Sequence, residues 1–264
     1  MSQPPQLGPN GKGALALLLT SVGGFVDAVG YIALFQVFTA NMSGNSIHMG
    51  MYLGQRNWPE LMRPLCAVTS YVVGMLLTRI TIGVAGRKGI RRIASFTFAV
   101  EALLLFGFAR ARPEMHLGQL VQLHSPEYFG FVAMLAFAMG VQTATLTHFG
   151  TLNAYTTFVT GTLTKTTESA TRALFWAWDY VRQSGTSAIV AHALRQQDVR
   201  ETLMLSSIWT CYVAGAALGV LAKARWEVRA LYFPVGVLLL LVILDRLRPL
   251  DIEEEKRQSV PKSG

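Results

Sequence analysis

The sequence predicts an all-α membrane protein of six transmembrane helices, arranged as two inverted three-helix repeats that each carry a re-entrant or broken polar half-helix. Three observations carry that expectation. Only 14% of the 264 residues are charged and 52% are hydrophobic, with a mean hydropathy of +0.38; a soluble domain is about 25% charged. The charges cluster and leave six windows close to the ~20 apolar residues that cross a bilayer. One motif is written twice, each time beside a polar, glycine-containing segment.

The duplication can be laid out residue by residue. Gly24-Phe25-Val26-Asp27-Ala28, followed by Phe38-Thr39-Ala40-Asn41-Met42-Ser43-Gly44-Asn45, returns as Gly140-Val141-Gln142-Thr143-Ala144, followed by Tyr155-Thr156-Thr157-Phe158-Val159-Thr160-Gly161-Thr162. The first parts lie 116 residues apart and the second parts 117. Ser70-Tyr71-Val72-Val73-Gly74 matches Cys211-Tyr212-Val213-Ala214-Gly215 at a spacing of 141. Each copy holds three spans. An odd number of crossings makes the second copy enter from the opposite face, so the repeats are inverted about an axis in the membrane plane.

Taken in order, residues 1–13 are a short cytoplasmic N-terminus, and 14–247 form a single transmembrane domain. Repeat one covers about 14–110, with spans near 14–35, 64–84 and 93–109. The first span stays apolar beyond the length of a signal-peptide core and no small-x-small site follows it, which makes it a retained span. Polar segment 36–55 is too polar for lipid and too weakly charged for a loop. Irregular backbone survives at membrane depth only when buried in protein or lining water. The segment therefore reads as a half-helix, with a short interfacial helix as the alternative. Repeat two covers about 128–247, with spans near 128–146, 203–222 and 230–246, and polar segment 148–167 mirrors the first. The last of these spans is apolar on every face, unlike a soluble amphipathic helix. The second copy is longer by about 24 residues within 168–200, where Trp176 and Trp178 alternate with Arg172, Asp179 and Arg182. This insertion reads as an amphipathic helical pair at the interface. The charged tail 248–264 has little to bury and reads as a disordered cytoplasmic end.

The net charge of +8 follows membrane sidedness, not nucleic-acid binding. With the N-terminus inside, sixteen of the 23 Lys and Arg residues fall on the cytoplasmic side, which favours both termini being cytoplasmic. Cys66 and Cys211 both lie within spans, with no metal spacing or disulfide framework.

Two acids lie inside spans. Asp27 belongs to the repeated motif and Glu101 sits near mid-depth of the third span. Intramembrane acids cost enough that they usually face protein or water, so each is a candidate ion or proton site, with a structural acid as the bland alternative. Arg79 is a candidate partner of Glu101. Gln142 stands beside Thr143, the uncharged counterpart of Asp27. Asn41, Ser43, Gly44 and Asn45, with Thr157, Thr160, Gly161 and Thr162, offer donors, acceptors and close backbone approach without charge. They suit either substrate contact or helix packing. No phosphate-binding loop, zinc motif, nucleophile elbow or dinucleotide fingerprint occurs, so the chain is not expected to be an enzyme or to hold a cofactor or metal.

The Asp27-Ala28 pair after a glycine, the Met42-Ser43-Gly44-Asn45 block and Thr160-Gly161-Thr162-Leu163-Thr164, in this order and spacing, resemble the YoaK family, a bacterial inner-membrane family with a domain of unknown function. The likeness runs from about residue 23 to 247. Position 143 departs from it, with Thr143 where the family has an amide. The resemblance implies a polytopic membrane protein and supplies no substrate, reaction or cofactor. The residues themselves point to a secondary transporter or permease for a small solute, with a central site between the repeats. A passive channel and a non-transporting scaffold or sensor are the alternatives. The expected partners are the lipid bilayer and a small molecule or ion, not nucleic acid; homo-oligomerisation stays open.

Overall fold

The computed structural model describes residues 9–90, 93–111, 124–149, 159–184 and 189–247, and their regular secondary structure is all helical. The helices are α1 (Pro9–Ala33), α2 (Met42–Gly54), α3 (Trp58–Arg87), α4 (Ile93–Ala111), α5 (Pro126–Phe149), α6 (Val159–Ser184), α7 (Ile189–Ala193), α8 (Gln197–Trp226) and α9 (Tyr232–Leu247), with a 3₁₀ turn at Glu227–Leu231 before the last. Local chemistry places the ends. The Asn57 side chain accepts from Glu60 N at 3.4 Å with Pro59 in the first turn, which starts α3. Gly89, at φ 67°, closes it. The Gln196 side chain accepts from Val199 N at 3.0 Å and starts α8.

Five described stretches are long and apolar enough to cross a membrane: Gly13–Ala33, Trp58–Arg87, Ile93–Ala111, Pro126–His148 and Gln197–Leu247. The last is α8 and α9, joined through the 3₁₀ turn. Glu227, at φ 51°, breaks the helix, and Phe25 touches both sides of the turn, with its backbone against Gly219 of α8 and its ring 5.8 Å from Phe233 of α9. The outward faces are apolar: Val72, Leu76 and Ile80 on α3, Phe96 and Leu103 on α4, Leu218 and Leu221 on α8, and Leu240 and Ile243 on α9 are exposed. A continuous apolar exterior of this kind is the surface a bilayer covers.

Contacts set the helix directions. α1 runs parallel to α8, since Gly13 meets Met204, Ser21 meets Gly215 and Phe25 meets Gly219. α3 runs parallel to α5, with Arg63 on Tyr128, Cys66 Sγ 3.6 Å from Phe129 O and Arg79 on Thr147. α1 and α5 are antiparallel: Gln142 Nε2 donates to Leu19 O at 3.3 Å, and Gly30 lies against Leu135. α4 and α9 are antiparallel through Ser95 with Asp245 and Phe106 with Tyr232. Thus α1, α4 and α8 run one way and α3, α5 and α9 the other.

The two tight pairs use glycine in the same manner. A β-carbon on Gly24 would lie 2.1 Å from Tyr212 O, and one on Gly215 2.1 Å from Ser21 O. In the other pair, Gly140 would press on Tyr71 O at 2.3 Å and Gly74 on Phe137 O at 2.5 Å. Small residues let helix backbones approach, which drives association where lipid removes the hydrophobic difference. The helices so joined come from different halves of the sequence, and one buried core draws on α1, α4, α5 and α9 together.

Candidate functional site

The first polar segment turns back on α1. α1 ends with Phe35 at φ 50° and Gln36 at φ 68°, left-handed values for residues other than glycine. Such residues cost on the order of 1–2 kcal/mol each. The left carbonyls are met by α3: the Arg63 guanidinium donates to Leu34 O at 3.4 Å and to Phe35 O, while Tyr128 OH of α5 donates to Leu34 O at 2.8 Å. Arg63 also pairs with Glu60, and its Nε donates to Tyr128 OH at 3.0 Å. It is a buried cation at a helix C-terminus, where the helix dipole favours positive charge.

The returning chain then docks on Asp27. Asp27 Oδ1 accepts from Thr39 N at 2.8 Å, Ala40 N at 2.7 Å and Thr39 Oγ1 at 3.1 Å, and Oδ2 accepts from Tyr212 OH of α8 at 2.8 Å. Asp27 precedes the end of α1 by six residues, so residues 39–40 have come back about 9 Å along the helix. Four donors and no acceptor converge on this carboxyl, and it is almost fully buried.

The Met42-Ser43-Gly44-Asn45 block builds the start of α2. Asn41 Oδ1 accepts from Gly44 N at 3.2 Å and Ser43 Oγ at 2.8 Å, a side-chain cap. Asn45 is fully buried and clasps the backbone of Phe38 on both sides, accepting from Phe38 N at 3.0 Å and donating to Phe38 O at 2.8 Å. The open face of Gly44 holds the Phe38 ring, 2.7 Å from where a β-carbon would sit. Phe38 in turn packs on Tyr31 and His48. Asn41, Ser43, Gly44 and Asn45 therefore make the turn itself, with their polar groups engaged within it.

Unmet polar atoms lie elsewhere. Both carboxyl oxygens of Glu101 in α4 are buried with no hydrogen-bond partner among the described residues, and so are Gln142 Oε1 and Thr143 Oγ1 in α5. Gln142 Oε1 faces Gly23, 3.1 Å from where its β-carbon would be. Arg79 does not reach Glu101; it is exposed and donates to Thr147 Oγ1 at 2.6 Å. In the second copy, Thr162 is buried like its counterpart Asn45, while Thr160 and Gly161 are exposed. Thr157 lies outside the described residues, as does much of segment 148–167.

α6 joins two features that the sequence reading kept apart. It runs unbroken from Val159 to Ser184, so the second motif and the amphipathic insertion share one helix. No Pro or Gly interrupts 162–184, and Thr164, Thr166, Thr167 and Thr171 return their hydroxyls to carbonyls four residues back. α6 is tied to α8 by Ser169 with Thr202 at 2.9 Å and by Arg172 with Asp198 at 2.7 Å and Glu201 at 3.2 Å. Its other side exposes Leu174, Phe175 and Trp178.

Sequence reasoning missed Tyr212, Arg63 and Asp245. Tyr212 was visible as a repeated position but not as the partner of Asp27. Arg63 counted as a loop base flanking the second span. Asp245 is fully buried near the end of α9 and accepts from the N–H and hydroxyl of Ser95 in the first turn of α4, capping that helix from a neighbour.

No solved structure matches the chain. The UPF0700 transmembrane protein YoaK of Bacillus subtilis (strain 168) is 24% identical over 242 residues, covering 90% of this chain and 95% of that protein. The family model described as protein of unknown function, DUF1275, matches residues 15–244, from the first turns of α1 to the last turn of α9. The resemblance carried by the two glycine motifs thus extends over the whole helical body, and the chain belongs to the DUF1275 family of YoaK-like transmembrane proteins.

Proposed function

We propose that this protein is a secondary transporter or permease for a small solute, with six spans forming two inverted three-span repeats and a site between them. The observation that carries the reading is the return of residues 39–40 to the level of Asp27, so that α2 starts at depth and leads back out toward α3. A half-helix whose N-terminus sits inside the bundle is how many transporters build a site at mid-membrane. An interfacial α2 would not need a carboxylate to hold its leading peptide nine ångströms, roughly, below the end of α1.

Inversion is supported by direction and by packing. α1, α3 and α4 alternate in one sense, and α5, α8 and α9 in the opposite sense. The contact of Gly24 on Tyr212 has its equivalent in Gly140 on Tyr71 once the halves are exchanged, and Gly215 on Ser21 has its equivalent in Gly74 on Phe137. Gly23 and Met139 occupy equivalent positions, and Met139 Cε lies 3.7 Å from where a β-carbon on Gly23 would sit, which supports a pseudo-twofold axis at the α1–α5 crossing. Rocking of the α1–α8 pair against the α3–α5 pair about that crossing is the simplest alternating motion. Gln142 Oε1 and Thr143 Oγ1, buried without partners beside the axis, are the groups that would hold the solute. Asp27, fully engaged, would keep α2 attached to the α1–α8 pair. The excess of cytoplasmic bases supports both termini inside the bacterial inner membrane.

The test is solute uptake by protein reconstituted in liposomes. Saturable flux is expected, reduced at least tenfold in Gln142→Leu while folding is kept, because the leucine removes an unpaired acceptor and no structural bond beyond the one to Leu19. Flux that rises linearly with concentration and is untouched by Gln142→Leu would overturn the carrier in favour of a channel.

A further inference from the structure

Two acids are buried in the spans of the first repeat, and their surroundings are opposite. Asp27 has four donors on its two oxygens. Glu101 is 0% exposed and, among the described residues, has none on either oxygen. We infer that Glu101, not Asp27, is the proton-binding group of this protein: it is held as a neutral acid between α4, α5 and α9 and gives up its proton when these helices part and admit water. As a coupling site this rests on the transporter reading; as a proton site it does not.

The surroundings leave the acid no way to stay charged. Glu101 lies seven residues before Phe108, whose ring packs on Phe131 of α5, and antiparallel α5 brings Ala138 and Met139 to its level. On α9 the pairs Ser95 with Asp245 and Phe106 with Tyr232 bracket it and bring Val237 and Leu238 alongside. The ionisable groups of these elements sit at other levels. On α9, Asp245 is engaged by Ser95, Tyr232 stacks on Phe106, and Arg246 is at the end. On α5, Glu127 and Tyr128 are in the first turn and His148 in the last. Glu227 and Arg229 belong to the 3₁₀ turn beyond Tyr232, Arg63 and Glu60 pair with each other at the far end of α3, and Arg79 is spent on Thr147. A buried carboxylate with neither donor nor counter-charge takes up a proton instead of remaining ionised.

A structural acid has a different signature, as Asp27 and Asp245 display: each fastens two elements through donors. Glu101 fastens nothing, and an apolar side chain of its size would fill the same space. Its carboxyl therefore has a use only in another arrangement of the helices, one in which water or a donor reaches it. Proton release and helix movement are then the same event, since the charged form is tolerated only after opening and the neutral form favours closure.

Infrared spectroscopy of the purified protein in lipid tests this. The wild type at neutral pH is expected to show the carbonyl band of a carboxylic acid free of hydrogen bonds. The band should vanish in Glu101→Met and Glu101→Gln, persist in Asp27→Asn, and be lost on alkaline titration. Alkalinisation should also raise hydrogen exchange in α4 and α9 of the wild type above that of Glu101→Met at the same pH. Thermal stability of Glu101→Met should equal or exceed the wild type; if that variant fails to fold, Glu101→Gln, which keeps the shape, supplies the comparison. A band that is absent from the wild type, survives in both variants, or does not titrate overturns the inference, as does an unchanged exchange response. In liposomes under a pH gradient, Glu101→Met should lose proton-driven uptake and keep solute exchange. Wild-type protein that moves no solute while the band titrates would sink the transporter reading alone.

Discussion

At the scale of single residues, Asp27 is a fastening whose removal has a calculable sign. Asp27→Ala leaves Thr39 N, Ala40 N and Tyr212 OH without an acceptor inside the protein. Each stranded donor costs about 1–3 kcal/mol, so the variant should lose at least ~3 kcal/mol of stability or fail to accumulate in the membrane. Asp27→Asn keeps an acceptor for the two peptide N–H groups and presents its amide to the tyrosine oxygen, and about 1–2 kcal/mol should be lost. Denaturant unfolding in detergent distinguishes the two variants, and equal losses would show that the four bonds do not act as described. The sequence marked Asp27 because it stands in the repeat, yet its role was not legible. Its donors come from a peptide pair twelve residues later and a tyrosine 185 residues later, and only folding brings them together. Glu101 was equally visible as an acid in an apolar window, but the lack of any partner is a fact of packing. Arg63 was hidden for a different reason: a base at the end of an apolar run ordinarily snorkels to the surface, whereas here two strained carbonyls at the end of α1 draw it inward.

At the scale of helices, the four close-approach glycines make the sharpest forecast. Alanine at Gly24, Gly140 or Gly215 would push a methyl onto a backbone carbonyl of the facing helix at 2.1–2.3 Å. Backbone cannot swing aside as a side chain can, so the helices must separate, at a cost of ~1–3 kcal/mol or more. Gly50, Gly83 and Gly236 have nothing within 4 Å of that position, and alanine there should be neutral or stabilising by up to about 1 kcal/mol. Thermal unfolding of the two sets should separate cleanly. The charge-free apolar windows made most helices readable, including the short third span, which α4 matches closely. It did not reveal that α6 is continuous, because the polar motif and the amphipathic stretch differ in composition although nothing between them interrupts a helix.

At the scale of the molecule, the repeated motif was legible and the pairing of the helices that carry it was not. Two copies in tandem suggest two lobes, one per copy. Instead each first helix pairs with a helix of the other copy, α1 with α8 and α5 with α3. The spacing of motifs records a repeated pattern and says nothing of which faces meet. The orientation remains testable by labelling. In a background free of Cys66 and Cys211, a cysteine at Lys88 should be shielded from a membrane-impermeant reagent in intact cells, and one at Glu227 should react. Reaction at position 88 with protection at 227 would reverse the topology that the basic residues imply.

The interlocked pairs also govern the order in which the protein can be completed during synthesis. α3 waits for α5, the next long helix but one, while Gly24 of α1 waits for Tyr212 of α8, which is added 188 residues later. At ~5–20 residues per second, that delay is on the order of 10–40 s. Throughout it, the glycine face of α1 stands in the bilayer without its mate, exposed to lipid, to quality-control proteases and to other nascent chains. The first half of the chain alone, residues 1–111, should therefore be degraded when expressed by itself and rescued when residues 124–264 are co-expressed, the two fragments co-purifying as one particle.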